Sequence, residues 1–265
     1  MREFFLFSLL LTTNSLLAQG PISGFMPGRG HTDIALSYSY ESYDTYKFGN
    51  ESQDISTITR SASLFLERGL TDTMSLVFTL PYLVVDHQNR GFQDGILVLK
   101  YRNAHQKPAN GQRSWITSVG VSTPLSAYPV DTERPIGIRA TVFQGRFLIQ
   151  QQWNMGLFLH LQTGFDFRII PDAQAALPVV ARIGWAGRRL YLESWMEWQH
   201  AFQPGVDERI GAGTGSSWQR IGGTIYYALH PQLGVLVGGA KFLNGRNIGL
   251  ANRVNVGVVY KGGEM

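Results

Sequence analysis

ERGLTDTMSLVFTLPYLVVDHQNRGFQDGILVLKYR, residues Glu67–Arg102, decides the reading of this chain. Gly69 and Asp72 mark a tight turn, because glycine supplies backbone freedom and aspartate caps its own turn. From Ser75 to Asp86, the residues Leu76, Phe78, Leu80, Tyr82 and Val84 share one face of an extended chain. After a polar loop at His87–Gln93, a second run alternates Asp94, Ile96, Val98, Lys100 and Arg102 with Gly95, Leu97, Leu99 and Tyr101. A period of two is the mark of a strand. Pro81 cannot donate a ladder hydrogen bond, so it predicts a bulge or strand end there.

The same unit recurs outward in both directions. In HTDIALSYSYESY, Ile34, Leu36, Tyr38 and Tyr40 oppose Asp33, Ala35, Ser37, Ser39 and Glu41. Further strands are predicted near 55–67, 114–123, 137–147, 153–169, 179–186, 190–199, 218–228, 233–242 and 250–260. Short turns are expected at 68–73, 187–189 and 229–232, and long loops at 124–136, 170–177 and 201–217. The polar segment 44–54 reads as a loop, and 103–113 is too long for a turn on the same scheme. Short connections at one end and long ones at the other, with about twelve strands, predict an all-β, transmembrane antiparallel up-and-down β-barrel.

Composition agrees with that expectation. The chain has 265 residues, with 44% hydrophobic and only 16% charged residues. A soluble domain carries roughly a quarter charged residues. Past the N-terminus no apolar run approaches the roughly 20 residues of a membrane helix. Tyr40, Tyr82, Tyr101, Trp115, Trp153, Trp185 and Tyr260 fall near predicted strand ends, where interfacial aromatic girdles lie. The competing account is a soluble secreted β-sandwich with the same aromatics in its core. The net charge of +4 is scattered, which leaves no footprint for nucleic acid. No cysteine occurs, which excludes disulfides and thiolate chemistry.

MREFFLFSLLLTTNSLLAQG has a basic start, an apolar centre and a small-residue exit. It predicts a secretory signal peptide over residues 1–18, with cleavage after Ala18 or as late as Gly20. Residues 21–265 then form a single barrel, with 21–30 a Gly/Pro-rich lead-in segment.

If one face of each strand meets lipid, the other lines the lumen. That parity assigns Asp33, Glu41, Glu67, Asp94, Lys100, Arg102, Arg139, Asp166, Arg168, Arg182, Glu193, Glu197 and Arg253 to the interior, with the two signs nearly balanced. Such balance suits a salt-bridged interior or a nearly neutral solute better than an ion-selective channel. Phe143, Phe158, Tyr191, Trp195 and Trp218 are expected to face inward as well, either as a stacking track for an aromatic solute or as packing. Of the six histidines only His160 lies inside a strand, and its parity also points to the lumen. No G-x-S-x-G, HExxH, P-loop or EF-hand pattern occurs, and the glycine-rich Gly211–Ser217 lies in a loop. No enzyme, cofactor or metal is expected.

GLTDTMSLVFTLPY (Gly69–Tyr82) and GFQDGILVLKYR (Gly91–Arg102) resemble the outer-membrane β-barrel family associated with the meta-pathway of phenol degradation, whose members are described as transporters. The shared features are the G-L-T-D turn at Gly69–Asp72, the Pro81–Tyr82 pair, and Gly91 and Asp94 leading to Lys100–Tyr101. The resemblance implies a monomer in the bacterial outer membrane, in contact with lipid and the barrel-assembly machinery, that passes small hydrophobic or aromatic organic solutes. The alternative is a structural or binding barrel whose lumen is plugged by salt bridges and whose outside loops carry the function. Barrels of this kind end on an aromatic residue. Here Val254, Val256, Val258 and Tyr260 alternate, and KGGEM follows.

Overall fold

A computed structural model describes residues 22–263, apart from 129, 131–134, 138, 171–172 and 203–214. The proposed signal peptide and most of Gly211–Ser217 lie outside the described residues. Fourteen strands form one antiparallel sheet: β1 (Thr32–Phe48), β2 (Glu51–Gly69), β3 (Met74–Val85), β4 (Asn89–Phe92), β5 (Asp94–Gln106), β6 (Gly111–Pro124), β7 (Thr141–Trp153), β8 (Leu157–Ile170), β9 (Gln174–Ala186), β10 (Leu190–Ala201), β11 (Ser217–His230), β12 (Leu233–Arg246), β13 (Ile248–Gly249) and β14 (Asn252–Gly262). β4 and β5 both pair with β3, and β13 and β14 both pair with β1, so the wall has twelve staves. β1 pairs with β2 on one side and with β14 on the other, which closes the barrel and removes every edge.

The alternation of residue types turns this wall inside out relative to a soluble protein. Leu36, Val119, Phe165, Ile183 and Val254 are each more than half exposed on the outer surface. Their strand neighbours Ala35, Ser118 and Arg182 are buried on the inner one. At one end the connections are short: 70–73, 107–110, 154–156, 187–189 and 231–232. The other end carries the two long ones, 125–140 and 202–216.

Several sequence expectations change. β1 and β2 run through the polar segment 44–54 to a Gly49–Asn50 turn, and β5 and β6 take up most of 103–113. These strand ends are polar because they project past the apolar band, not because they leave the sheet. β9 starts at Gln174, so the expected long loop over 170–177 is a short connection. Pro81 stays within β3 and pairs with Ser63. The β3–β5 ladder stops at Thr79–Ile96, and the Pro81 carbonyl accepts the Gln93 amide at 2.9 Å where β4 gives way to β5. A residue without an N–H fits that break.

Candidate functional site

The interior is occupied from the short-turn end by the segment preceding β1. Ile22, Ser23, Phe25 and Met26 are all buried. Ile22 and Met26 pack against Val77, Val98, Ile116 and Leu148 on β3, β5, β6 and β7. The Phe25 ring meets Phe158 edge-on at 5.4 Å and Tyr191 at 6.3 Å, while those two rings stack at 5.5 Å. Two glycines make the seat possible. A Cβ on Gly24 would stand 2.1 Å from Gln150 Oε1, and one on Gly69 would stand 2.1 Å from the Gly28 carbonyl oxygen, so side chains are excluded where the segment meets the wall. The Gly30 amide donates to the Gly69 carbonyl and the Gly69 amide to the His31 carbonyl, both at 2.9 Å, which ties the segment's exit to the end of β2.

One cation holds it from beneath. Lys100 Nζ donates to the Phe25 carbonyl oxygen at 2.8 Å and to Glu67 Oε1 at 2.8 Å, and Ser75 Oγ donates to the same carboxylate at 2.6 Å. The side chains of Lys100 and Glu67 are 0% and 1% exposed. A buried charge persists only when paired and hydrogen-bonded, and here the backbone carbonyl supplies part of the solvation that water would.

Further round the wall, Arg182 and Glu193 pair at 3.8 Å, and Tyr191 Oη donates to Glu193 Oε2 at 2.8 Å. His160 lies fully buried between Gln150 and Gln162, each 3.4 Å from a ring nitrogen. Arg146 donates to Asp166 at 2.6 Å and to the Phe165 carbonyl at 2.7 Å. Arg168 is buried on β8. These groups form a charge-neutralised lining.

Toward the long-loop end the lining becomes aromatic. The Arg220 guanidinium lies 4.9, 5.4 and 5.5 Å from the ring centroids of Trp218, Trp195 and Phe242, and pairs with Glu197 at 2.5 Å. Rings around a guanidinium add cation–π attraction to the ion pair. Arg253 pairs with Glu41 at 2.6 Å across the β1–β14 seam. Opposite, the connection after β6 folds onto β3. Tyr128 and Ile136 cluster with Val85, Leu83 and Val130, Tyr128 Oη donates to Asp94 Oδ1 at 2.5 Å, and the Arg139 amide donates to Tyr128 Oη at 2.9 Å.

Among the residues expected inside, Lys100, Phe158, His160, Arg168, Arg182 and Glu193 are buried, while Asp94, Arg102, Asp166, Trp195 and Glu197 are half-buried. Arg102 sits at the short-turn end, where its amide donates to the Thr73 carbonyl at 2.8 Å. Arg139 is a correction: it is exposed, at φ 48°, in the connection before β7. That left-handed backbone ends the extended chain, and β7 begins only at Thr141. Phe143 is a second correction, for it faces outward at 49% exposure. Facing counted from Arg139 puts Phe143 inside, but Arg139 lies before the strand, and the buried Arg146 and Gln150 mark the other parity of β7 as the inner face. Arg220 and the buried segment Ile22–Met26 went unpredicted. The Trp218–Arg220 spacing of two was the available signal for the first, and the second has no periodicity to read.

Among the described residues, no group of three or more histidine, aspartate or glutamate side chains is placed to hold a metal ion. No protein-family model matches the chain. No curated protein matches it either. Solved structures do. The COG4313 outer membrane channel from Pseudomonas putida F1 superposes with a TM-score of 0.70 at 13% identity, over 89% of this chain and 97% of that one. The NanC porin gives 0.56 at 8% identity, over 86% and 98%, and the KdgM porin 0.54 at 10%, over 85% and 98%. The chain has the fold of these barrels. At such identities the likeness concerns the fold alone.

Proposed function

We propose that this chain is a monomeric bacterial outer-membrane barrel that passes small organic solutes, with apolar and aromatic compounds the favoured class. The observation that carries the reading is the inverted wall: an apolar outer belt around an interior of paired charges and aromatic rings. A belt of that kind needs lipid. The short-turn end is then periplasmic and the connections 125–140 and 202–216 lie outside. An N-terminal signal peptide and the barrel-assembly machinery deliver the chain there. The likeness to channels and porins supports this reading, and the resemblance of Gly69–Arg102 to the meta-pathway family supports the solute class.

In this proposal Asp94, Lys100, Arg102, Phe158, His160, Asp166, Arg168, Arg182, Glu193, Trp195 and Glu197 line the path, and Ile22–Met26 is a removable stopper. A solute entering past Trp195 and Arg220 meets the Phe25 side of the segment, so passage requires the segment to leave its seat. The paired charges keep the emptied lumen neutral and therefore weakly ion-selective.

A second reading has its own support. The filled periplasmic half and the buried Lys100–Glu67 pair suit a permanently closed barrel that works through its outside loops. Planar-bilayer recordings of the purified full-length protein, beside a variant lacking residues 22–26, separate the two. The expected result is small conductance for the parent and a larger, weakly selective one for the deletion. A deletion that inserts but carries no more current than the parent sinks the pore and leaves the closed barrel.

A further inference from the structure

Charges on the outer face of a barrel mark where lipid ends. On β2 they are Arg60 and Arg68, with Ala62, Leu64 and Leu66 between them on the same face. Eight residues of strand at about 3.3 Å each, tilted by about 40°, span a depth of about 20 Å. That is close to the roughly 25 Å apolar band of a membrane barrel. Arg68 stands at the short-turn boundary, where it donates to Thr32 Oγ1 at 2.6 Å. Arg60 stands at the other boundary, on the long-loop side.

The register sets out three rows leading up to Arg60. Leu36, Leu64 and Leu80 face one another across β1, β2 and β3. One step outward come Tyr38, Ala62, Tyr82 and Phe92, the last two rings edge-on at 5.2 Å. A further step brings Tyr40, Arg60, Val84 and Arg90 into line. Apolar, aromatic, cationic is the order in which acyl chains, interface and headgroups follow one another in a membrane. The Arg60 guanidinium lies 6.0 Å from the Tyr40 ring centroid and touches the exposed His87 ring, which holds its stem along the wall. Arg90 is exposed two strands away, at about 10 Å.

Among the described residues neither arginine pairs with a carboxylate. Asp86, the acid just beyond this row, accepts the Ile58 amide on Oδ1 at 2.6 Å. The opposite wall has no counterpart: at the same end β7 and β8 expose Phe143, Phe165, Phe167 and Ile169, with no outward cation among their described residues. Acyl chains alone give two guanidinium groups no partner. A phosphate monoester does, because it accepts paired charge-assisted hydrogen bonds from the planar fork of an arginine.

We propose that the outer face of β2–β4 binds a membrane lipid that carries phosphate monoesters, with Arg60 and Arg90 on the phosphates and the acyl chains along the Leu36–Leu64–Leu80 row. The assignment rests on the outer-membrane reading and adds a lipid partner to it.

The test uses the full-length protein in nonionic detergent micelles, titrated with diphosphorylated lipid A and with the same lipid stripped of phosphate, and read by native mass spectrometry. One diphosphorylated lipid is expected per barrel, bound about tenfold more tightly than the stripped form. Arg60→Gln with Arg90→Gln is expected to erase that preference, while Arg68→Gln at the opposite boundary leaves it unchanged. Equal affinities in the parent, or a preference that the double variant keeps, overturns the assignment. Displacement of the lipid by millimolar inorganic phosphate makes the patch a free-anion site and overturns it too. Insertion into phosphatidylcholine vesicles, followed by heat-modifiable gel migration, separates this site from the membrane reading. A parent that inserts without preferring the phosphorylated lipid loses the headgroup site and keeps the wall in lipid. One that never inserts loses both.

Discussion

Lys100 Nζ lies 2.8 Å from the Phe25 carbonyl oxygen, so a fully buried cation of the wall holds a segment that belongs to no strand. The same ammonium neutralises Glu67, and the two contacts have different consequences when removed. Lys100→Met leaves Glu67 buried without its cation and is expected to cost about 3–5 kcal/mol in urea unfolding from lipid vesicles. Lys100→Met combined with Glu67→Gln removes both charges, and most of that stability is expected to return. In both variants the segment loses its anchor, so bilayer conductance rises. Conductance at the parent level in the double variant would show that Lys100 does not hold the segment.

Phe25→Ala removes a ring seated between Phe158 and Tyr191. Truncation of a buried phenylalanine is expected to weaken its seating by about 3–5 kcal/mol. Because Phe25 lies outside the ladders, the wall should keep its unfolding midpoint to a first approximation while the segment becomes accessible to protease. A cooperative loss of the whole barrel would instead make Phe25 part of the wall's core.

Val119 and Ser118 are neighbours on β6 with opposite surroundings, 57% and 2% exposed. Val119→Arg places a charge in the apolar belt and is expected to cost about 2–4 kcal/mol if it lies near the bilayer midplane. The cost should appear in vesicle refolding and vanish when the protein is assayed in a zwitterionic detergent whose headgroups reach the belt. An equal cost in both media would argue against lipid on this face.

The outer connection 125–140 is pinned by Tyr128. Burial, together with the Asp94 carboxylate beside it, pushes the Tyr128 phenol above its ordinary range. A phenol whose folded pKa is raised contributes stability that is complete below the unfolded value and is lost as pH climbs through the folded one. The loop is therefore expected to resist protease unchanged up to about pH 10, the ordinary tyrosine value, and to loosen above it. Tyr128→Phe removes both hydrogen bonds and should loosen it at every pH, by about 1–3 kcal/mol for the Asp94 contact.

How far the sequence could be read follows from which side of each strand met a contrasting solvent. Leu76–Val84 opposite Ser75 and Val77, and Leu97–Tyr101 opposite Val98 and Lys100, carry their facing in their chemistry, and the structure agrees. In β7 a facing counted from Arg139 fails because that residue lies in the connection before the strand; the buried Arg146 and Gln150 orient the inner face and leave Phe143 outside. The segment 44–54 is polar because it stands in water, and polarity there resembles a loop. Ile22–Met26 was unreadable for a different reason. Its partners Val77, Val98, Ile116 and Leu148 are distant in sequence, and a short run with glycine and proline has no period of its own.

The strand that follows the buried segment, β1, is also the one that closes the cylinder, through eleven paired positions from Thr32↔Gly262 to Ser42↔Asn252. The inner seat is complete only when all twelve staves stand around it, since Phe25 clusters with Val259 of β14 as well as with Phe158 and Tyr191. Zipping the seam and filling the cylinder therefore share the longest loop closure in the molecule, the kind of contact that folds slowly. The two ends of the described chain reach their native places together, and a barrel caught before its last strand docks is both unsealed and empty.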